Sequence, residues 1–177
     1  ENIVGSDSAD TITGDGNANV LAGAEGNDTI YGGGGNDYIY GASITSDTAG
    51  TIYGLRDYDV SSTNHGSNKL YGQAGDDTLV SGDGDDTLDG GTGSDTLTGG
   101  NGSDTFVLRK NDSDASASAA DIITDFTDGT DVFGLVSDLT FDDLTIAQSD
   151  GSAVSSSHTI ISRTGEVMAV VQNTSAS

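Results

Sequence analysis

Between Gly72 and Val107 the chain repeats itself every nine residues without a break. The four units are Gly72-Gln-Ala-Gly-Asp-Asp-Thr-Leu-Val, Ser81-Gly-Asp-Gly-Asp-Asp-Thr-Leu-Asp, Gly90-Gly-Thr-Gly-Ser-Asp-Thr-Leu-Thr and Gly99-Gly-Asn-Gly-Ser-Asp-Thr-Phe-Val. Glycine recurs at the first, second and fourth places, Asp stands sixth, and one large apolar residue stands eighth. The last three residues of a unit read as a very short strand whose middle side chain points inward and whose flanks point out. One inward residue in nine makes no core alone. Stacked units do, with apolar residues from facing strands packed between two sheets.

The turns carry the chemistry. Glycine takes positive φ without strain and brings backbone carbonyls near a common point, where the short Asp adds a carboxylate. Such a set of hard oxygens suits Ca²⁺, which takes roughly six to eight oxygen ligands at about 2.3–2.6 Å. The candidate ligands in the regular stretch are Gly72, Gly75 and Asp77; Gly82, Gly84 and Asp86; Gly90, Gly91, Gly93 and Asp95; and Gly99, Gly100, Gly102 and Asp104.

Composition supports a metal-dependent chain. Of 177 residues 33% are hydrophobic and the net charge is −24, values that by themselves point to disorder. Of the 29 acids 26 are Asp, and Glu occurs only at Glu1, Glu25 and Glu166. General solubility has no preference for the shorter acid, whereas ligand geometry does. Repulsion among the carboxylates keeps such a chain expanded until cations neutralise it. Cysteine is absent, which excludes disulfides and thiolate zinc sites. No apolar run approaches the roughly 20 residues of a membrane span. The start at Glu1 without a basic-then-apolar leader is read as that of a fragment of a longer protein.

The repeat begins earlier and less regularly. Gly5 to Thr13 is a first unit with Asp10 and Ile12, and Gly14 to Ala22 a second with Asn19 at the acid position and Leu21 inside. Gly23 to Tyr31, with Gly26 and Asp28, and Gly32 to Tyr40, with Gly33, Gly35 and Asp37, are strong units. Asp10, Asn19 and these residues join the candidate ligands. An irregular insertion then occupies about 41–69. It is read as a thirteen-residue unit, Gly41 to Tyr53 with a strand at Thr51–Tyr53, then Gly54 to Ser62 with Ser61 at the apolar place, then Thr63 to Tyr71 with Asn68 and Leu70. Eleven units in all make about five turns, roughly 25 Å at the usual ~4.8 Å strand spacing.

The pattern G-G-x-G-x-D-x-U-x, with U a large apolar residue, resembles the calcium-binding nonapeptide of the RTX (repeats-in-toxin, hemolysin-type) family. That resemblance implies an all-β fold, a right-handed parallel β-roll with two units per turn, closed here by a C-terminal antiparallel β cap. It implies that each acid position shares metal with the unit two further on: Asp10 with Asp28, Asn19 with Asp37, Asn68 with Asp86, Asp77 with Asp95, and Asp86 with Asp104. It also implies export by a type I secretion apparatus, an extracellular or cell-surface location, and folding on calcium after export. The segment Asp121-Ile-Ile-Thr-Asp-Phe-Thr-Asp-Gly-Thr-Asp131 is similar to the one that closes the roll in serralysin-type proteases and alginate epimerase modules. This makes Asp121 and Asp125 candidate ligands of a terminal calcium site. Gly134 departs from that pattern, where another Asp is common. Residues 1–107 are thus the roll and 108–177 the capping segment, with antiparallel strands expected over Leu139–Ile146, Thr159–Arg163 and Val167–Val171 and a turn at Thr164-Gly165.

Other function classes find little support. No nucleophile elbow, His-Glu-x-x-His motif or separate catalytic carboxylate pair stands out, so the segment reads as non-enzymatic. The charge has the wrong sign for nucleic acid. His65 and His158 read as ordinary exposed histidines. Tyr31, Tyr53 and Tyr71 end units of one parity and form either an aromatic ladder for sugar rings or a cross-strand stabilising stack. The leading reading is a calcium-folded structural module of a larger extracellular protein such as an adhesin. The alternative is a polysaccharide-binding module of an extracellular enzyme.

Overall fold

The computed structural model describes residues 2–41, 66–109, 120–136, 139–148, 158–164 and 166–172. Consecutive strands alternate between two sheets. Sheet A takes β1 (Asn2–Val4), β3 (Val20–Ala22), β5 (Tyr38–Tyr40), β7 (Thr78–Asp83), β9 (Thr96–Asn101) and β11 (Asp121–Ile123). Sheet B takes β2 (Thr11–Thr13), β4 (Thr29–Gly34), β6 (Lys69–Ala74), β8 (Thr87–Thr92), β10 (Thr105–Leu108) and β12 (Val132–Leu135). Neighbours within each of these runs are parallel, as in Thr11↔Thr29 and Thr78↔Thr96, so two nonapeptides complete one turn of a parallel β-roll.

The core is the row of eighth-position side chains. Ile30, Ile39, Leu70, Leu79, Leu88 and Phe106 are fully buried, and Leu21, Leu97 and Ile123 join them in one cluster. Their flanks face outward, which gives β2 its exposed-buried-exposed pattern.

The register corrects the count of units. β4 pairs directly with β6, Thr29 opposite Lys69, and β5 with β7, Tyr38 opposite Thr78. Among the described strands, that of Gly32–Tyr40 is therefore followed in the stack by that of Thr63–Tyr71. Nine nonapeptides build the described roll, not eleven units. Residue spacing does not distinguish a rung from an insertion, which only the pairing of neighbouring strands reveals. The expected strand at Thr51–Tyr53 lies outside the described residues, as do Tyr53 and His65.

Both sheets run on past the nonapeptides, since β11 pairs with β9 and β12 with β10 in the same parallel sense. Phe126 bridges this end, stacked on Phe133 at 4.6 Å between centroids and tilted against Phe106 at 5.9 Å. The chain then reverses character. β15 (Glu166–Val171) pairs parallel with β11, and β14 (Thr159–Arg163) and β13 (Thr145–Gln148) follow it antiparallel. Ile161, Met168 and Val171 from this cap extend the core. The expected strand over Leu139–Ile146 is replaced in its first half by a 3₁₀ turn, Phe141–Asp143. There Asp143 turns back to accept hydrogen bonds from the Thr140 N–H at 2.8 Å and hydroxyl at 2.7 Å.

Candidate metal centres

The sixth-position residues form two ladders along the turns. In one, the backbone N–H of Asp10 donates to Asp28 Oδ1 at 2.9 Å, Asp28 to Asn68 Oδ1 at 2.9 Å, Asn68 to Asp86 Oδ1 at 2.7 Å, Asp86 to Asp104 Oδ1 at 3.0 Å and Asp104 to Asp131 Oδ1 at 3.0 Å. In the other, Asn19 donates to Asp37 at 2.8 Å, Asp37 to Asp77 at 2.7 Å, Asp77 to Asp95 at 2.8 Å and Asp95 to Asp121 at 3.0 Å. All five sequence pairings are neighbours in these ladders. The contacts Asp28–Asn68 and Asp37–Asp77 are hidden in the sequence by the insertion.

One oxygen of each acid is thus held, and the other decides the chemistry. Oδ2 of Asp28, Asp37, Asp77, Asp86, Asp95 and Asp104 is buried with no hydrogen-bond partner. Each of these six carboxylates is at most 2% exposed. For Asp28, Asp37, Asp77, Asp95 and Asp104 the space that Oδ2 faces exists because the first residue of the unit is glycine, whereas Asp86 has Ser81 at that place, whose side chain helps to lower its carboxyl. A methyl group on Gly23 would collide with Asp28 Oδ2 and approach the Gly41 carbonyl to 2.6 Å, and one on Gly32 would collide with Asp37 Oδ2 and approach the Gly72 carbonyl to 2.6 Å. Carboxylate and carbonyl oxygens thus line a cradle with no donor between them. An unpaired buried carboxylate is strongly unfavourable unless a cation or a proton compensates it.

The acid–base behaviour follows. Burial raises the Asp77 and Asp86 carboxyls to about 6 and that of Asp104 to about 7, against the lowering effect of the ladder N–H. Asp28 and Asp37 are raised for the same reason. Among the described residues no three His, Cys, Asp or Glu side chains gather at one point, so an ion held here would draw largely on backbone oxygens. The donor set of carboxylate and glycine carbonyl suits Ca²⁺, and the residues that would hold it are these six acids with the glycine turns around them.

Other predicted ligands are already satisfied. Asp10 Oδ2 accepts from the Ser6 N–H at 2.6 Å and hydroxyl at 2.8 Å, which hold its carboxyl below the usual range. Asn19 Oδ1 accepts from the Asp15 N–H at 2.8 Å, and its amide nitrogen donates to Asp15 Oδ1 at 3.2 Å. Asp125 clasps the Gly99 and Gly100 N–H groups at 3.0 and 2.7 Å. Sequence reasoning does not single out Asp131, which closes one ladder and also accepts from the Thr127 N–H at 2.7 Å. Nor does it single out the fifth-position residues, where Asn36 accepts from the Asp76 N–H and Asp76 from that of Ser94. The recurrence of Asn, Asp and Ser at that place is the signal that could have found them.

The model of the RTX calcium-binding nonapeptide repeat matches in four copies, over residues 1–29, 13–43, 59–88 and 80–108. The chain belongs to the RTX calcium-binding repeat family. No curated protein is significantly similar to this RTX chain. Among solved structures, extracellular lipase LipA from Serratia marcescens is similar at 18% identity and a TM-score of 0.43, over 99% of this chain and 38% of the lipase. The AlgE6R3 subunit of the Azotobacter vinelandii mannuronan C5-epimerase is similar at 22% identity and a TM-score of 0.35, over 96% of this chain and 74% of that subunit. The RTX chain thus spans well under half of the lipase.

Proposed function

We propose that this chain is a calcium-folded structural module of a larger extracellular protein, such as an adhesin, and that it folds after type I secretion. The observation that carries the reading is the set of six buried carboxylate oxygens without a hydrogen-bond partner, five of them against the glycine that opens the unit. A metal that binds only the stacked turns makes its binding free energy a folding free energy. Extracellular calcium modules bind with Kd of about 10⁻⁴–10⁻³ M, so the chain stays open in a calcium-poor cytosol and closes outside. A loose chain passes a secretion channel and a closed roll does not, which couples export to folding. The module itself is non-catalytic in this reading, since its acids serve the ladders. Polysaccharide binding, the alternative, is a separate property of the outer face of sheet B and does not involve the ladders.

The test is a calcium titration of the chain followed by far-UV circular dichroism, with Mg²⁺ as the control. A cooperative gain of β signal with Ca²⁺ and little with Mg²⁺ is expected, because Mg²⁺ demands a tighter octahedral shell than a carbonyl cradle supplies. Equal action of the two ions sinks the reading.

A further inference from the structure

Ninth-position side chains of sheet B point away from the core. Tyr31 of β4 lies in register with Tyr71 of β6, which lies in register with Asp89 of β8. The two rings stack with centroids 5.0 Å apart and planes 12° from parallel. Beyond Tyr71, Asp89 is only 4% exposed, and Arg109 grips both its oxygens, Nε donating to Oδ1 at 2.8 Å and an amino nitrogen to Oδ2. In the adjoining row Gln73 faces Gly91. A groove of about 250 Å³ lies between Tyr31, Tyr71, Gln73, Asp89, Thr92 and Arg109, with Gly91 in its lining.

We infer that this groove is a subsite for one neutral pyranose unit of a polysaccharide. Its volume, about 250 Å³, is below the roughly 300–1,000 Å³ of sites that enclose drug-sized ligands, which fits a single ring with its polymer neighbours running along the open face. Tyrosine offers an apolar ring face for the C–H groups of a sugar and a hydroxyl at its rim. The Asp89–Arg109 pair sets carboxylate lone pairs beside guanidinium N–H groups, matching the alternating acceptors and donors of adjacent hydroxyls. Gln73 and Thr92 are exposed at the lip and add an amide and a hydroxyl.

The charge selects the sugar. Arg109 is neutralised by Asp89, and the chain as a whole carries 29 acids against five bases. A polyuronate is repelled by this charge and a neutral polymer is not. A stack that served only the sheet would gain cross-strand contact energy without a buried ion pair beside it. The corresponding row of sheet A, Ala22, Tyr40, Val80 and Thr98, carries no such pair.

The experiment titrates the calcium-loaded chain by calorimetry with neutral gluco-, manno- and galacto-hexasaccharides and with a polymannuronate of equal length. At least one neutral saccharide is expected to bind, the uronate is not, and Tyr71→Ala is expected to weaken binding by about tenfold or more. Tyr71 is outside the ladders, so calcium-induced folding, followed by circular dichroism in the same samples, is expected to persist in the variant. If Tyr71→Ala fails to fold, Gln73→Ala at the exposed lip gives the same reading with a smaller loss. Absence of binding by every neutral saccharide, tighter binding of the uronate, or folded variants that bind like the parent would overturn the inference. None of these outcomes bears on the calcium reading.

Discussion

The roll and the cap bury polar groups on opposite terms. In the roll, six carboxylates at most 2% exposed each leave one oxygen without a donor. In the cap and the segment before it, buried acids are paired: Glu166 accepts from Arg163 Nε at 2.5 Å, and Asp131 uses both oxygens on backbone N–H groups. The apolar side differs as well. Along β9 the inward Leu97 is the single core side chain contributed by its nonapeptide, whereas β15 buries Met168, Ala169, Val170 and Val171 in succession. The contrast shows two ways to meet the entropy cost of folding. One region relies on a ligand that the chain does not carry, the other on apolar area that it does.

That contrast is tested most severely by removing calcium. In chelator, amide protection in β6–β9 is expected to collapse, and protection in β14–β15 to fall much less, by hydrogen exchange. Equal loss in both regions would mean that the cap has no stability of its own and that the distinction fails. A smaller effect comes from paired glycine substitutions. Gly84 has a φ of +128°, and a methyl group there would strike the Gly66 carbonyl, so Gly84→Ala is expected to prevent closure of that turn even in calcium. Gly129 has a φ of +81° with nothing within 4 Å, so Gly129→Ala carries only the left-handed backbone penalty of about 1–2 kcal/mol. Comparable losses in denaturant midpoint for the two variants would break the argument that stacked backbone, not φ alone, sets the glycine requirement.

Acidity separates the two regions more gently. When metal is absent, Asp77 and Asp86 keep their protons to about pH 6 and Asp104 to about pH 7 in the folded chain. In the unfolded chain they release them near a pKa of about 3.9. Between these limits the folded state binds more protons, so metal-free stability is greatest at the acid end and falls as pH rises from about 4 to about 7. With calcium present the sign reverses, because protons compete for the same oxygens. Circular dichroism of the chelated chain at about pH 4.5 and about pH 8 checks this, and a roll that gains structure with rising pH in chelator would contradict it.

The smallest effect is expected at Asn68. Its Oδ1 accepts from the Asp28 N–H, and its amide nitrogen, where six other units have the open Asp oxygen, lines the Gly41 gap together with the Ser81 carbonyl. An amide N–H in place of a carboxylate oxygen is expected to leave that rung without a cation. Asn68→Asp opens it, and native mass spectrometry is expected to count one more calcium ion. An unchanged count shows that the sixth-position oxygen does not set occupancy.

Much of the roll is legible in its residues alone. Nine-residue phase is enough to place the eighth-position core, the parallel pairing eighteen residues apart and the acid ladder, because each is a local rule applied again. The cap hairpin is legible too, from two apolar runs around Thr164-Gly165. The insertion is not: reading Gly41–Ser62 as a thirteen-residue and a nine-residue unit produces two units that the hydrogen-bond register passes over. Nor can Asp121, Asp125 and Asp131 be ranked by spacing, since their roles depend on which N–H groups β9 and β10 present to them.

By itself, then, the sequence determined the repeat unit, its cation chemistry and the side that faces inward, because spacing alone dictates these in a stack of identical turns. Tertiary structure alone decided which acids stay open. Ser6 folds back on Asp10, Asp15 closes Asn19, and Asp125 clasps Gly99 and Gly100, while Oδ2 of the six central carboxylates meets no hydrogen-bond donor. A donor's reach is a matter of ångströms in space, which residue spacing along a chain does not encode once a neighbouring turn supplies the partner.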